Sequence, residues 1–130
     1  MTSRSEAKPK QLRQLEGDYQ RALLARVAKV FPDVRFFRRN TGLIKLDDRV
    51  FRAGIAGQAD LYVIGLGGWH GEVEVKRFGS LTPEQMHWRD WCRAWCVPWI
   101  VVKADVDEPA AATIDRWVVE LGAWMKEAGR

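Results

Sequence analysis

The sequence predicts an α/β domain: a mixed sheet flanked by helices. Three observations predict it. An apolar repeat at three- and four-residue steps lies near the start, short β-branched and alternating segments fill the middle, and two further helical patterns lie around the last strand. Between Gln11 and Val30, the residues Leu12, Leu15, Tyr19, Leu23, Val27 and Val30 form the apolar stripe of an amphipathic helix that Pro32 and Asp33 end. Val34 to Arg38 reads as a strand. Leu43 to Leu46 and Arg49 to Arg52, joined by Asp47-Asp48, read as a hairpin rich in basic side chains. Asp60 to Ile64 is a second core strand, Leu66-Gly67-Gly68 a turn, and Gly71 to Arg77 a half-exposed strand. In that strand Glu72, Glu74 and Lys76 alternate with Val73 and Val75, which puts the three charges on one face. Thr82-Pro83-Glu84-Gln85 opens a helix with an N-cap, a proline in the first turn and a capping-box glutamine, and the helix runs to about Cys96. Trp99 to Lys103 is a strand and Glu108 to Lys126 a final helix. The expected order is α-β-β-β-α-β with an inserted hairpin and a C-terminal helix.

With 130 residues, 47% of them hydrophobic and 29% charged, the chain suits one domain over residues 11–130, preceded by a flexible basic tail over residues 1–10. A domain of this size needs neither disulfides nor a structural metal to fold. Cys92 and Cys96, four residues apart in a helical segment, read as buried reduced thiols. No segment resembles a secretory h-region and none approaches the length of a membrane span, so a cytoplasmic protein without a membrane partner is expected. The net charge is +4 and unevenly spread. Residues 1–55 carry 13 basic and 6 acidic side chains, residues 56–130 carry 8 and 11. That asymmetry suits a polyanion-facing surface in the first half and acids held in the second.

A hairpin centred near Gly67 sets Asp60 opposite Glu74, about 5 Å apart at the backbone. Lys76, two residues further on, points to the same side. Two carboxylates and a lysine on one face are what metal-assisted phosphodiester hydrolysis requires: oxygen ligands for a hard cation, and a lysine to position water and balance developing charge. The plain alternative is a solvated strand face with a weak ion pair. Gly54, Gly57, Gln58 and Ala59 keep the approach to Asp60 free of bulk. On the first helix Glu16 lies inside the apolar stripe, whereas Asp18 lies outside it. An inward acid needs a partner, and the alternative is an edge residue that snorkels to water.

Arg39-Asn40-Thr41-Gly42, Gly57-Gln58-Ala59-Asp60-Leu61, Glu72-Val73-Glu74-Val75-Lys76 and Leu81-Thr82-Pro83-Glu84-Gln85, in that order, resemble the VRR-NUC (virus-type replication-repair nuclease) domain of the PD-(D/E)xK superfamily. The similarity runs from about Glu16 to Val102. It implies a restriction-endonuclease-like core and a metal-dependent endonuclease using Mg²⁺ or Mn²⁺. Asp60 and Glu74 would be metal ligands, Glu16 the matching first-helix acid, and Val75 the remaining member of the metal set. Lys76 would be the catalytic lysine, with Gln85 near the site. Ala59 stands where the family commonly has proline. Stand-alone members are associated with dimeric cleavage of four-way DNA junctions, so the resemblance implies a homodimer acting on branched DNA.

Arg38, Arg39, Lys45, Arg49, Arg52 and Arg77, with Asn40, are the expected nucleic-acid contacts, because they flank the acids along the chain. Trp88, Trp91 and Trp95 fall at helical spacing, which favours core or dimer packing over a base-stacking platform. His70 reads as a turn residue and His87 as a helix-surface one. A catalytically silent binding module and an RNA nuclease are the rival readings.

Overall fold

The computed structural model describes residues 10–39 and 42–129, and their side chains except those of residues 10–15, 42–44 and 51–52. Helix α1 (Lys10–Val30) leads into β1 (Val34–Arg38), a hairpin of β2 (Gly42–Leu46) and β3 (Arg49–Ala53), β4 (Leu61–Gly65) and β5 (His70–Lys76). Then come α2 (Pro83–Ala94), β6 (Trp99–Lys103) and α3 (Ala110–Glu127). Four strands form one mixed sheet in the order β1-β4-β5-β6, antiparallel except for the parallel β5–β6 pair, and β2–β3 forms a separate two-stranded sheet. The parallel pair requires a crossover, and α2 supplies it.

One face of the sheet packs against α1 and α3. Leu61, Val63, Val73, Val75 and Val102 meet Leu23 and Val27 of α1 and Ile114, Trp117 and Leu121 of α3 in the core. The indole Nε1 of Trp117 donates to the Lys103 carbonyl, which lets a large polar-tipped ring be fully buried. At Gly71 an added Cβ would meet Trp124 at 2.5 Å and Trp69 at 2.7 Å, so the missing side chain admits the Trp69–Trp124 edge-to-face pair.

Several boundaries shift from the sequence reading. Helix α2 stops at Ala94 because Cys96 adopts a left-handed φ of 58° and its N–H turns back to the Arg93 carbonyl. Cys96 is exposed and only Cys92 is buried, which corrects the expected pair of buried thiols. Helix α3 starts at Ala110 rather than Glu108, whose carboxylate instead accepts hydrogen bonds from Thr113 and Arg116. His70 is the first residue of β5, not part of the turn.

The strand β5 is buried on both faces, not half-exposed. Besides Val73 and Val75, its charged residues Glu72, Glu74 and Lys76 are 2%, 2% and 6% exposed. Helix α2 covers two of them directly: Trp88 donates to Glu72 and Gln85 to Glu74. No helix among the described residues is long and apolar enough to cross a membrane.

The α2 N-terminus is held in place by two devices. Thr82 and Gln85 close a full capping box. Gly57, at φ +87°, brings its loop so close that an added Cβ would lie 2.2 Å from the Glu84 carbonyl oxygen. Substituting Gly57→Ala therefore combines left-handed strain with a backbone clash, and the expected result is a loss of about 1–3 kcal/mol in chemical denaturation. The variant should also show a changed near-ultraviolet signal from the α2 tryptophans. Wild-type stability and signal would show that the loop does not fix α2.

Candidate metal centre

The β4–β5 register pairs Leu61 with Val73, so one step earlier Asp60 faces Glu74. Asp60 sits just before β4, and its Oδ2 accepts a hydrogen bond of 2.9 Å from the Val75 N–H. Val75 thus reaches the site through its main chain, while its side chain lies in the core. Glu74 Oε2 accepts from Gln85 Nε2 at 3.1 Å, and Glu74 Oε1 is buried with no hydrogen-bond partner. Gln85 joins helix start to site, since its Oε1 accepts the Thr82 N–H while its amide nitrogen holds Glu74.

Burial first, then the Asp60 charge and a hydrogen bond between the two carboxyls, push Glu74 up to about 10; Lys76 works the other way, and Glu16 adds to the rise. Buried beside the Asp60 carboxylate, Glu74 keeps its proton when no cation is present. Among the described residues no group of three or more acids, histidines or cysteines is arranged to hold a metal ion, and Glu16 does not join the pair in such a group. The two carboxyls nevertheless fit a small hard cation. Mg²⁺ is usually held by one or two carboxylates and retains water on its other positions, and the orphaned Glu74 Oε1 is an oxygen left for such a ligand. Glu16 is half-buried, whereas Asp18 is exposed and paired with Arg21 on the helix surface.

A second constellation lies beside this pair. Arg39 donates from both terminal nitrogens to Glu72, at 2.5 and 2.9 Å, and one of them also donates to the Ala59 carbonyl at 3.1 Å. Its own N–H donates to the Asp60 carbonyl at 2.8 Å. Its guanidinium carbon stands 4.9 Å over the Tyr62 ring, which stacks on Phe37 and His70. His70 Nε2 lies 2.6 Å from Glu72 Oε2, and Trp88 Nε1 donates to Oε1. Burial opposes ionisation of Glu72, but hydrogen bonds from Arg39, His70 and Trp88 outweigh it and hold the carboxyl below its usual range. Arg39 therefore clamps the segment carrying Asp60 onto β5.

The sequence reading made Arg39 a phosphate contact. In the structure its guanidinium is bound to Glu72 and its side chain is 16% exposed. Arg77 lies against α1, its guanidinium carbon 5.7 Å over the Tyr19 ring, and its Nε is buried without a hydrogen-bond partner. Arg38 is exposed and reaches over Gly17 of α1; Lys45 and Arg49 are exposed on the hairpin. Asn40 and the Arg52 side chain fall outside the described residues. Glu72 and His70 were not singled out as partners of Arg39, and no local pattern points to a pairing across 33 residues. Compared with protein-family models, curated proteins and solved structures, the chain matches none.

The raised Glu74 carboxyl has a thermodynamic consequence. Folded Glu74 keeps its proton where the unfolded chain, near 4.5, has lost it. Its contribution to stability is therefore fully present below pH 4.5 and lost as pH rises toward 10. In metal-free buffer Glu74→Gln should lose less stability than wild type between pH 5 and pH 9, read as melting temperature. Parallel curves for the two proteins would contradict the assignment.

Proposed function

We propose that this protein is a Mg²⁺- or Mn²⁺-dependent endonuclease that hydrolyses DNA phosphodiester bonds, acting on branched DNA as a homodimer. It would be a VRR-NUC-type member of the PD-(D/E)xK superfamily with a restriction-endonuclease-like core. The observation that carries the reading is the pairing of Asp60 with Glu74 in a buried site, one Glu74 oxygen unpartnered and Lys76 next on the same strand face. A solvated strand face, the plain alternative, does not explain three charges that are each less than 10% exposed. The element order, with the hairpin inserted after β1 and the acids opposite each other at the end of the β4–β5 pair away from its turn, supports the same assignment.

Each residue has a task in this reaction. Asp60 and Glu74 hold the cation, which when bound polarises the phosphate and eases ionisation of water. Gln85 fixes the Glu74 carboxyl, and Arg39 fixes the Asp60 segment from the other side. The buried Lys76 ammonium offsets negative charge that builds on the phosphate as water adds to phosphorus and the P–O bond to the leaving oxygen breaks. Glu16, whose charge Glu74 feels, modulates the pair from α1. The intact acid–lysine set counts against a silent binding module.

Because Lys76 is buried rather than exposed, its test keeps the stem volume. Lys76→Met should lower cleavage of labelled DNA in Mn²⁺ by at least about a hundredfold while circular dichroism remains that of the wild type. Asp18→Ala, on the outer face of α1, should cleave as wild type does. Unchanged turnover by a folded Lys76→Met variant would remove the proposed centre.

A further inference from the structure

Glu72 is the one charge on the buried face of β5 to which the proposed reaction gives no task. It is 2% exposed, and a carboxylate taken out of water needs donors. They are supplied in full. Arg39 and Trp88 meet at Oε1, Arg39 and His70 at Oε2, so each oxygen carries two contacts. A buried ion pair is a costly way to fill space, since apolar side chains of similar volume stabilise a fold as well or better. What this pair holds in place is the main chain around Asp60.

Arg39 grips the two peptide groups on either side of the Asp60 Cα. Its guanidinium donates to the Ala59 carbonyl at 3.1 Å, and its main-chain N–H donates to the Asp60 carbonyl at 2.8 Å. With both peptide planes held, the direction of the Asp60 side chain is narrowed, and its Oδ2 meets the Val75 N–H at 2.9 Å. The main-chain grip continues the β1–β4 pairing, whereas the guanidinium grip depends on Glu72. The same terminal nitrogen of Arg39 serves both Ala59 and Glu72 Oε1, so the two bonds fix each other's geometry. Tyr62 completes the arrangement: the guanidinium carbon stands 4.9 Å over its ring, and the ring stacks on His70, which returns to Glu72.

We propose that Glu72 is a positioning residue of the candidate metal centre, acting through Arg39 to hold the Asp60 carboxylate opposite Glu74. The proposal rests on the nuclease reading for its purpose, and adds to that reading a residue that touches neither cation nor substrate. Groups that orient metal ligands from behind govern affinity by about ten- to a hundredfold. Glutamine cannot take the place of Glu72. Both carboxylate oxygens bond Arg39, so in either orientation the amide nitrogen would face a guanidinium donor. Nor can lysine take the place of Arg39, because one ammonium lacks the planar fork that serves Glu72 and Ala59 together.

The test reads the Val75 amide proton by nuclear magnetic resonance in the isotope-labelled, metal-free protein, and Mn²⁺ affinity by calorimetry on the same samples. Asp60→Ala marks where the Val75 resonance falls once its carboxylate acceptor is gone. Glu72→Gln should move the resonance in that direction and weaken Mn²⁺ binding about tenfold. Arg39→Lys, which keeps a positive charge beside Glu72, should do the same and carries the test if Glu72→Gln does not fold. The double variant should lose no more affinity than the weaker-binding single one, because both act through one contact. The core variant Leu121→Ala, on α3, should lower stability without moving either readout. A Val75 resonance unmoved in the folded variants overturns the proposal, and so does a moved resonance with Mn²⁺ bound as tightly as by wild type. A moved resonance in a protein whose wild type binds no Mn²⁺ overturns the nuclease reading and keeps the hold of Glu72 on Asp60.

Discussion

Placing Glu72, Glu74 and Lys76 on one buried face of β5 is the constraint that organises the rest of the molecule. A charge removed from water must find a partner, neutralise or bind an ion. The three residues resolve the demand differently. Glu72 is ionised and saturated by Arg39, His70 and Trp88. Glu74 is forced toward its neutral form beside Asp60. Lys76 supplies the positive charge that opposes this shift. The same strand thus carries one carboxylate that is structurally committed and another that is left available, two residues apart.

The surrounding elements follow from that division. Arg39 comes from the end of β1 and reaches Glu72, Ala59 and Asp60 together, so the loop before β4 is tied to β5 through one guanidinium and one backbone amide. From the opposite side, α2 contributes Trp88 to the committed acid and Gln85 to the available one. Gly57 lets the loop and helix touch at backbone distance. Position at the acid pair is therefore set by contacts among three elements, and a change in any one is felt at Glu74.

Much of this was legible in the sequence, for reasons that are local. Alternation placed the β5 charges on one face, the glycine turn after β4 set Asp60 against Glu74, and Thr82 with Gln85 announced the capping box. What was not legible depended on long-range choices. Arg38 and Arg39 are adjacent arginines, and only the β1–β4 register decides that Arg39 turns inward. Helical spacing aligned the tryptophans of α2 but could not say which side of them would be covered. The hydrogen bond from Trp88 to Glu72 and the burial of Cys92 orient the helix, and that orientation leaves Trp91 and Trp95 outward. His70 looked like a turn residue because the glycines before it end the turn sooner than composition suggests.

The central claim is that Asp60 and Glu74 are paired in order to bind a cation rather than to share a proton. Calorimetric titration of the metal-free protein with Mn²⁺ tests it most directly, because binding is read without a substrate. The account predicts saturable binding by wild type that Asp60→Asn and Glu74→Gln each weaken at least about tenfold, as expected when a hard-cation site loses a charge. Equal Mn²⁺ affinity in all three folded proteins, or none in wild type, would contradict it.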